Sequence, residues 1–179
     1  MKAKLKKNQG RGIACGFWFN IGGQTCTDIN IGVDGTVNLT LGTVDVGGSR
    51  ASMSMIAAEE LGIPYEQVKA NIADTGSLGH NDMTEGSRGT FSSGMATIFA
   101  AREAIGVLKQ RAAAMWGIPV EDVAWEKGQA IAVGKTHNNL PPLSLQEIAS
   151  KSGRTGGPIA GHNEVVADGA GMGFAAHIC

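Results

Sequence analysis

The tripeptide Gly-Ser-Arg occurs twice in the sequence, at residues 48–50 and 86–88, and a helix-forming stretch follows it each time. The first turn of a helix has backbone N–H groups without partners and carries about half a positive charge. Glycines before such a turn let a ligand approach the backbone closely, and phosphates and other oxyanions are the usual ligands. Serine adds a hydroxyl and arginine a charged fork of donors. The two turns therefore predict an anion-binding site.

A plain helix cap is the alternative for either turn taken alone, because Gly-Gly-Ser is a common start of a helix. Neither turn is a P-loop, since the Gly-Lys-Ser/Thr of that motif is missing. Neither is a dinucleotide fingerprint, since no G-x-G-x-x-G lies between strand and helix. The repetition favours a ligand site, but it does not identify the ligand.

The remaining reactive side chains are scattered along the chain. The three cysteines form no C-x-x-C pair and are interpreted as free thiols in a reducing compartment: Cys15, Cys26 and Cys179. The four histidines lack the spacing of a metal motif such as H-E-x-x-H: His80, His137, His162 and His177. No iron–sulfur, zinc or other metal site is therefore expected on this chain. Glu85 is the acid best placed to contact a ligand at the second turn, and a solvated loop carboxylate is its alternative.

Alternation of apolar and polar residues predicts the strands that position these turns. The Asp34-Gly35 pair predicts a two-residue hairpin turn. The C-terminal residues 162–179 are interpreted as a single strand. The other predicted strands and hairpins cover residues 11–23, 26–47, 66–75 and 123–134.

Helical spacing of apolar residues predicts two main helices. The first begins at Ser49 as N-cap, and its buried face is expected to contain Met53, Ile56, Ala57 and Leu61. The second follows a polar loop over residues 76–89, and its apolar stripe contains Phe91, Met95, Ile98, Ile105, Leu108, Ala112 and Trp116. Gly-x-Pro ends both helices. A short third helix within 141–153 carries a capping box of Ser144 and Glu147.

One internal similarity relates the ends of the two main helices. Residues 61–70 (LGIPYEQVKA) and 116–125 (WGIPVEDVAW) lie 55 positions apart, and each leads from a helix into a strand. A duplicated helix–strand unit and a shared helix-stop pattern both explain it. The predicted fold class is α+β, with helices packed on a mixed or antiparallel sheet, in one domain over 1–179 or in two helix–strand subdomains.

Composition excludes several classes of partner. The chain has 179 residues, a formal net charge of -1 and 27 glycines. This charge gives no general attraction to nucleic acid or to anionic membranes. No apolar run approaches the roughly 20 residues of a membrane span, and the N-terminus lacks a signal-peptide pattern. A soluble, cytoplasmic protein is expected.

Several segments together resemble the molybdopterin-binding large subunit of the xanthine dehydrogenase/aldehyde oxidase family. The resemblance extends from about Arg11 to Cys179, and its order and spacing are more specific than any single motif. The segments that carry it are GRGIACGFWFN, GTVDVGGSRASMSMIAAEELGIPYEQVKANIADTG, TEGSRGTFSSGMA, LSLQEIA and GFAAHIC.

The resemblance implies a molybdenum hydroxylase, which oxidises an N-heterocycle or an aldehyde with oxygen from water. It implies molybdenum on a molybdopterin cofactor, commonly the cytosine dinucleotide form in bacteria. Iron–sulfur clusters and FAD on partner subunits or domains would carry the electrons away. The implied partners are the remainder of the molybdopterin subunit, the iron–sulfur and flavin subunits and the small-molecule substrate.

The resemblance also assigns cofactor-binding residues, which coincide with the two turns. It places the first loop near the molybdenum and the second beside the substrate and cofactor. The residues so assigned are Val46, Gly47, Gly48 and Ser49 in the first loop, and Glu85, Gly86, Ser87, Arg88, Gly89 and Thr90 in the second.

Departures from the family pattern limit what this chain is expected to do alone. Gly47 stands where many members have a glutamine, and the family's glutamate base and its arginine-containing cofactor loop are not matched. No catalytic residue is therefore assigned, and the chain is expected to be an interior piece of a larger subunit that is inactive by itself. The alternatives are a non-catalytic scaffold or degenerate subunit, and an unrelated phosphate- or nucleotide-binding module.

Overall fold

The structure of the protein is a computed structural model that describes residues 5–134 and 139–178. His137 and Cys179 lie outside the described residues. The described strands are β1 Ile13–Asn20, β2 Gly23–Ile31, β3 Val37–Leu41, β4 Val68–Ile72, β5 Val123–Glu126, β6 Gln129–Ala132, β7 Leu143–Ser144, β8 Ile159–Ala167 and β9 Ala170–Ile178. The α-helices are α1 Ser49–Leu61, α2 Gly89–Trp116, α3 Leu145–Ser150 and α4 Ser152–Thr155.

The strands form one four-stranded sheet and two smaller ones. The order of the large sheet is β4-β3-β2-β8, in which β2 is antiparallel to both neighbours and β3 is parallel to β4. Helix α1 is the crossover that the parallel pair needs. Strands β5, β6 and β7 form a three-stranded sheet, and within the described residues β1 pairs only with β9. The α+β prediction with a mixed sheet is confirmed.

Helices α1 and α2 cover one face of the large sheet, and the core lies between the two layers. Strand β2 turns Ile29 and Ile31 toward the helices, and β3 turns Val37, Leu39 and Leu41 the same way. These residues alternate with polar ones, as expected for a strand with one buried face. The sheet thereby fixes where the two helices begin.

The buried face of α2 differs from the predicted apolar stripe. Phe91, Met95, Ile98 and Ile105 are only partly buried, while the fully buried positions are mostly small: Ser92, Ser93, Ala96, Thr97, Ala100, Ala101, Ala104, Leu108 and Ala112. The reason is a close approach to β8 at Gly161, where an added Cβ would lie 2.0 Å from the carbonyl oxygen of Ala100. Only small residues fit so near the strand.

Both repeated Gly-x-Pro segments form the same local structure. Gly62 and Gly117 end their helices in the left-handed conformation, with φ of 72° and 69°, and a short 3₁₀ turn follows each proline. The strands that follow, β4 and β5, belong to different sheets. Both segments thus lead from a helix end through a 3₁₀ turn into a strand, which fits a duplicated unit and a shared helix-stop pattern equally. The indole N–H of Trp125 donates to the carbonyl of Leu61 at the end of α1.

Three predicted boundaries need correction. The β2–β3 loop is longer than a two-residue turn, because the N–H of Gly32 donates to the carbonyl of Thr36 across Asp34-Gly35. The N-cap of α1 is Gly48, and Ser49 is already helical, with its hydroxyl bonded to the carbonyl of Val46 at 3.3 Å. The C-terminal residues form two strands, β8 and β9. The predicted capping box of α3 is confirmed.

Candidate functional site

The two Gly-Ser-Arg turns lie at the same end of the α1–α2 layer. The hydroxyl oxygen of Thr97 on α2 lies 3.9 Å from the sulfur of Met53 on α1, and Arg102 further along α2 donates to Glu60 further along α1. Because the residue numbers rise together, the helices are parallel and their N-termini are neighbours. Helices packed in this way lie roughly 8–10 Å apart. The geometry therefore brings two positive helix ends together.

The loops that lead into the helices also touch each other. The hydroxyl oxygens of Thr43 and Thr84 are 3.4 Å apart. Gly42 is packed so tightly against the side chain of Asn81 that an added Cβ would lie 2.4 Å from its amide nitrogen. The first turn and the second loop thus share a wall.

The first turn has an open backbone. Gly47 and Gly48 have φ of 65° and 97°, and no heavy atom lies within 4 Å of a Cβ placed on either. Val46 before them is 63% exposed. Part of the helix end is already used, because the backbone N–H of Arg50 donates to Asp45 at 3.2 Å. The remaining N–H groups are reachable by a ligand from solvent.

The side chain of Arg50 is held beside this turn. Its guanidinium donates to the carbonyl of Ala70 at 2.5 Å and lies 3.6 Å from the carboxylate of Asp45. Asp45 thus offsets part of the positive charge of the arginine and of the helix end. The backbone, more than the side chain, is what the first turn offers to an anion.

The second turn is shaped by the connection between β1 and β2. An added Cβ on Gly86 would lie 2.7 Å from the side chain of Ile21, whose N–H donates to the carbonyl of Gly86. The amide of Asn20 donates to the carbonyl of Ser87, which has a positive φ of 57°. Packing against Ile21, not a ligand, therefore explains the glycine at position 86.

Arg88 is buried, and its donors are used within the chain. The side chain is 1% exposed and donates to the carbonyls of Gly22, Gln24 and Asp82 and to the hydroxyl of Thr25, at 2.5–2.7 Å. Burial lowers the pKa of the guanidinium, and the nearby acid Asp82 opposes that shift. The guanidinium of Arg88 thus fixes the loop to β2, and a contribution of this residue to cofactor binding stays a prediction.

Asp82 completes this fixation of the loop. Its carboxylate accepts the N–H of Gln24 at 2.6 Å and contacts the ring of His80 at 3.1 Å, and these hydrogen bonds lower its pKa. The backbone N–H of Asp82 donates to Gln24 in return. The loop before α2 is thus bonded to β2 along its length.

What remains open in the second loop is a small polar surface. Glu85, Ser87 and Thr90 are exposed, and the nearest atom to a Cβ placed on Gly89 is a methyl of Thr84 at 3.9 Å. The hydroxyls of Ser92 and Ser93 in α2 are buried without a partner among the described residues. The accessible groups at the start of α2 are thus the backbone and the hydroxyls of Ser87 and Thr90.

A second group of reactive side chains was not predicted. Cys26 and Asp28 on β2 meet His162 on β8, with one ligand atom of each within 4.8 Å of the others. The sequence separates the histidine from the other two by more than 130 positions, so no spacing motif marks it. Only the antiparallel pairing of β2 with β8 brings them together.

The comparisons with known proteins agree with this geometry. A family model described as a molybdopterin cofactor-binding domain matches residues 1–178. The carbon monoxide dehydrogenase large chain of Hydrogenophaga pseudoflava is 33% identical over 100 residues, which are 55% of this chain and 12% of that protein.

Two solved structures show the same fold at low sequence identity. Reconstituted CO dehydrogenase from Oligotropha carboxidovorans matches 95% of this chain with a TM-score of 0.78 and 23% identity. Quinoline 2-oxidoreductase from Pseudomonas putida 86 matches 94% with a TM-score of 0.72 and 19% identity. The chain spans about a quarter of the length of these chains, 23% and 24% respectively.

Proposed function

The chain belongs to the molybdopterin cofactor-binding family, and from this premise we propose that the N-terminal turns of α1 and α2 hold a molybdenum–pterin cofactor. The observation that carries the proposal is the pair of adjacent, parallel helix ends with an open glycine backbone at Gly47 and Gly48. The first loop contributes Val46 to Ser49, and the second contributes Glu85, Ser87, Gly89 and Thr90. Family membership replaces the alternative of an unrelated phosphate- or nucleotide-binding module.

The residues of the two helix-start turns fit a molybdenum–pterin cofactor. An oxyanion is stabilised where free N–H groups and a positive helix end coincide. The first turn provides this with no side chain in the way, since a Cβ at Gly47 or Gly48 would meet only open space. The second provides exposed hydroxyls at Ser87 and Thr90. The negative charge of Asp45 beside the first turn disfavours a phosphate there. The backbone of this turn is therefore better suited to hydrogen bonds with the pterin.

The bound group would supply a metal centre able to accept electrons from a substrate. The chain's own residues position it: the α1 turn donates backbone N–H groups, and the α2 turn contributes hydroxyls. Arg88 and Asp82 keep the second loop rigid by bonding it to β2. No residue of this chain is assigned as acid or base.

We further infer that the whole protein is a molybdenum-dependent oxidoreductase of which this chain forms one part. An N-heterocycle or aldehyde as substrate, the cytosine dinucleotide form of the cofactor, and iron–sulfur and FAD partners all belong to this proposal. The β1–β9 ribbon supports a larger assembly, because its aromatic side chains are exposed to solvent in the part of the chain that the structure describes. A cytoplasmic location is proposed on the free thiols of Cys15 and Cys26.

The proposal is tested by blocking the first turn. Gly48→Val in the protein purified from a cofactor-producing host removes access to the α1 turn. Losing two backbone hydrogen bonds of about 1–1.5 kcal/mol each should weaken cofactor binding by roughly tenfold or more. Molybdenum by mass spectrometry and pterin by fluorescence are measured per chain.

Gly157→Val is the matched control. Gly157 has φ of 92°, close to the 97° of Gly48, and its Cβ would also meet open space. Both variants carry the same backbone strain, so stability should fall equally. Equal cofactor content in both variants would contradict the proposed site, and a wild-type protein without molybdenum or pterin would favour a non-catalytic scaffold.

A further inference from the structure

The face of the large sheet opposite to α1 and α2 carries a cluster of three potential metal ligands. Residues of β2 alternate, so Thr25, Thr27 and Ile29 face the helices while Cys26 and Asp28 face away. On β8, Gly161 faces α2, and His162 therefore lies on the side of Cys26 and Asp28. The cluster lies outside the proposed cofactor site and does not rest on it.

We propose that Cys26, Asp28 and His162 bind a divalent cation of the zinc class. Thiolate, imidazole and carboxylate are the three ligand types that zinc takes in proteins. They offer one sulfur, one nitrogen and one oxygen within 4.8 Å of one another. Sulfur and imidazole together select a borderline-soft cation over magnesium or calcium, which prefer oxygen alone.

The distances bring a cation within reach of all three side chains once the ring of His162 turns away from Asp28. Zinc–ligand bonds of about 2.0–2.3 Å place the ligand atoms of a tetrahedral site roughly 3.5 Å apart. The sulfur of Cys26 is 3.9 Å from each ring nitrogen of His162. The ring also contacts the carboxylate of Asp28, and a bound ion would replace that hydrogen bond. The strand register holds the pair opposite each other, since Asp28 is aligned with His162.

The surroundings leave a fourth position and an entry path. Glu164 is aligned with Cys26 in the same register, but its carboxylate accepts a hydrogen bond from the amide of Gln24, so a water would complete four ligands. The exposed side of His162 opens the cluster to solvent, whereas Gly79 covers the sulfur, with 3.3 Å between the sulfur and a Cβ placed there. One side of the site is thus closed by protein and the other is accessible.

A cysteine nucleophile activated by histidine is a poorer explanation of the same residues. A nucleophile needs a base aimed at the sulfur, and the ring of His162 is already bonded to the carboxylate of Asp28. The sulfur is equally far from both ring nitrogens, so neither is singled out as its base. A cation supplies the positive charge that would stabilise the thiolate between two carboxylates.

The test is a titration of the metal-free, full-length protein with Co²⁺, whose bond to a thiolate gives a charge-transfer band in the near ultraviolet. One Co²⁺ per chain should produce the band, and Zn²⁺ should displace it. Cys26→Ser should abolish the band. His162→Gln should weaken Co²⁺ binding by roughly tenfold or more, a size typical of damage to a metal site.

Cys15→Ser is the matched control, because Cys15 is the other described free thiol and is exposed on β1. It should leave the band and the affinity unchanged. His162→Gln keeps the test valid if Cys26→Ser fails to fold, since His162 is exposed and its loss leaves no buried cavity. A wild-type protein without the band, or a band that survives in Cys26→Ser or His162→Gln at unchanged affinity, would overturn the proposal.

Discussion

At the scale of single residues, Arg88 shows how a motif predicts a residue's charge but not its partner. The same tripeptide precedes both helices, yet Arg50 is half exposed while Arg88 is buried and bonded to five acceptors. The difference comes from the β1–β2 connection, which lies over the second turn. Arg88 therefore stabilises the loop that the cofactor would contact.

Replacing Arg88 with lysine should destabilise the protein by about 2–4 kcal/mol. Lysine keeps the charge but cannot reach several acceptors in the fork geometry of arginine, so buried carbonyls would lose their donors. Urea unfolding followed by circular dichroism measures the change. Arg102→Lys is the control, because its ion pair with Glu60 is on the surface and should change stability by less than about 1 kcal/mol. Equal effects in the two variants would refute the structural role.

The carboxylate of Asp82 should make stability depend on pH. Hydrogen bonds from Gln24 and His80 lower its pKa in the folded state. Its stabilising effect is therefore complete above the unfolded value of about 3.9 and is lost as pH falls through the lower folded value. Urea midpoints at pH 7 and pH 3 should differ less in Asp82→Asn than in the wild type. An identical difference in both proteins would contradict this assignment.

At the scale of elements, the close contact between α2 and β8 determines the composition of the helix. An added Cβ at Gly161 would lie 2.0 Å from a carbonyl oxygen and 2.7 Å from a backbone nitrogen of α2. The helix must then carry alanines where it crosses the strand. This explains why the large apolar residues of α2 are displaced to its sides.

Gly161→Ala should therefore be strongly destabilising, by about 2–4 kcal/mol, since the backbones must separate to admit one methyl group. Gly106→Ala, a change within α2 itself, is the control. Its Cβ would meet nothing within 4 Å, and alanine favours helix, so stability should rise by about 0.5–1 kcal/mol. The unfolding temperatures of both variants are measured. An unfolding temperature of Gly161→Ala equal to that of the wild type would show that α2 and β8 are not in such close contact.

Local features of the sequence predict the elements well, because turns and helix ends depend on nearby residues. Gly62 and Gly117 end their helices as expected, and Ser144 forms its capping box with Glu147. Contacts between distant segments were not predictable in the same way. Periodicity favoured the large residues of α2 because it gives no indication of Gly161, which lies 61 and 57 positions after the residues it approaches, Ala100 and Ala104.

The same reason explains what was missed in the site. The local sequence pattern predicts an accessible glycine backbone before the first helix, and a Cβ placed on Gly47 or Gly48 meets no described atom within 4 Å. The burial of Arg88 requires Gln24 and Thr25, which lie more than 60 positions away. The approach of His162 to Cys26 likewise depends on strand pairing across more than 130 positions.

At the scale of the whole molecule, the β1–β9 ribbon is the part of the described chain least able to be stable without further contacts. Phe17 and Phe174 are directly opposite each other in register, 65% and 72% exposed. Two strands without a covering layer are marginal in water. Exposed aromatic patches of this kind mark interaction surfaces, which agrees with a chain that spans about a quarter of its structural relatives.

The double change Phe17→Ser and Phe174→Ser should therefore reduce self-association of the isolated chain. Sedimentation velocity should give a larger monomer fraction, and binding of an apolar dye should fall by roughly half or more as the main exposed aromatic pair is removed. Val33→Ser is the control, since Val33 is 69% exposed in the β2–β3 loop. A double variant that self-associates as strongly as the Val33→Ser control would show that the ribbon is not the surface through which the chain self-associates.

Amide hydrogen exchange of the protein with and without its cofactor tests most directly whether the two helix ends bind it. The account predicts slower exchange in the cofactor-loaded protein at the N–H groups of Gly48, Ser49 and Ala51 and of residues 89–91, and unchanged exchange at the capped start of α3 and at Arg50, whose N–H is bonded to Asp45. Protection confined to other segments, or equal exchange at both helix starts in the two forms, would contradict it.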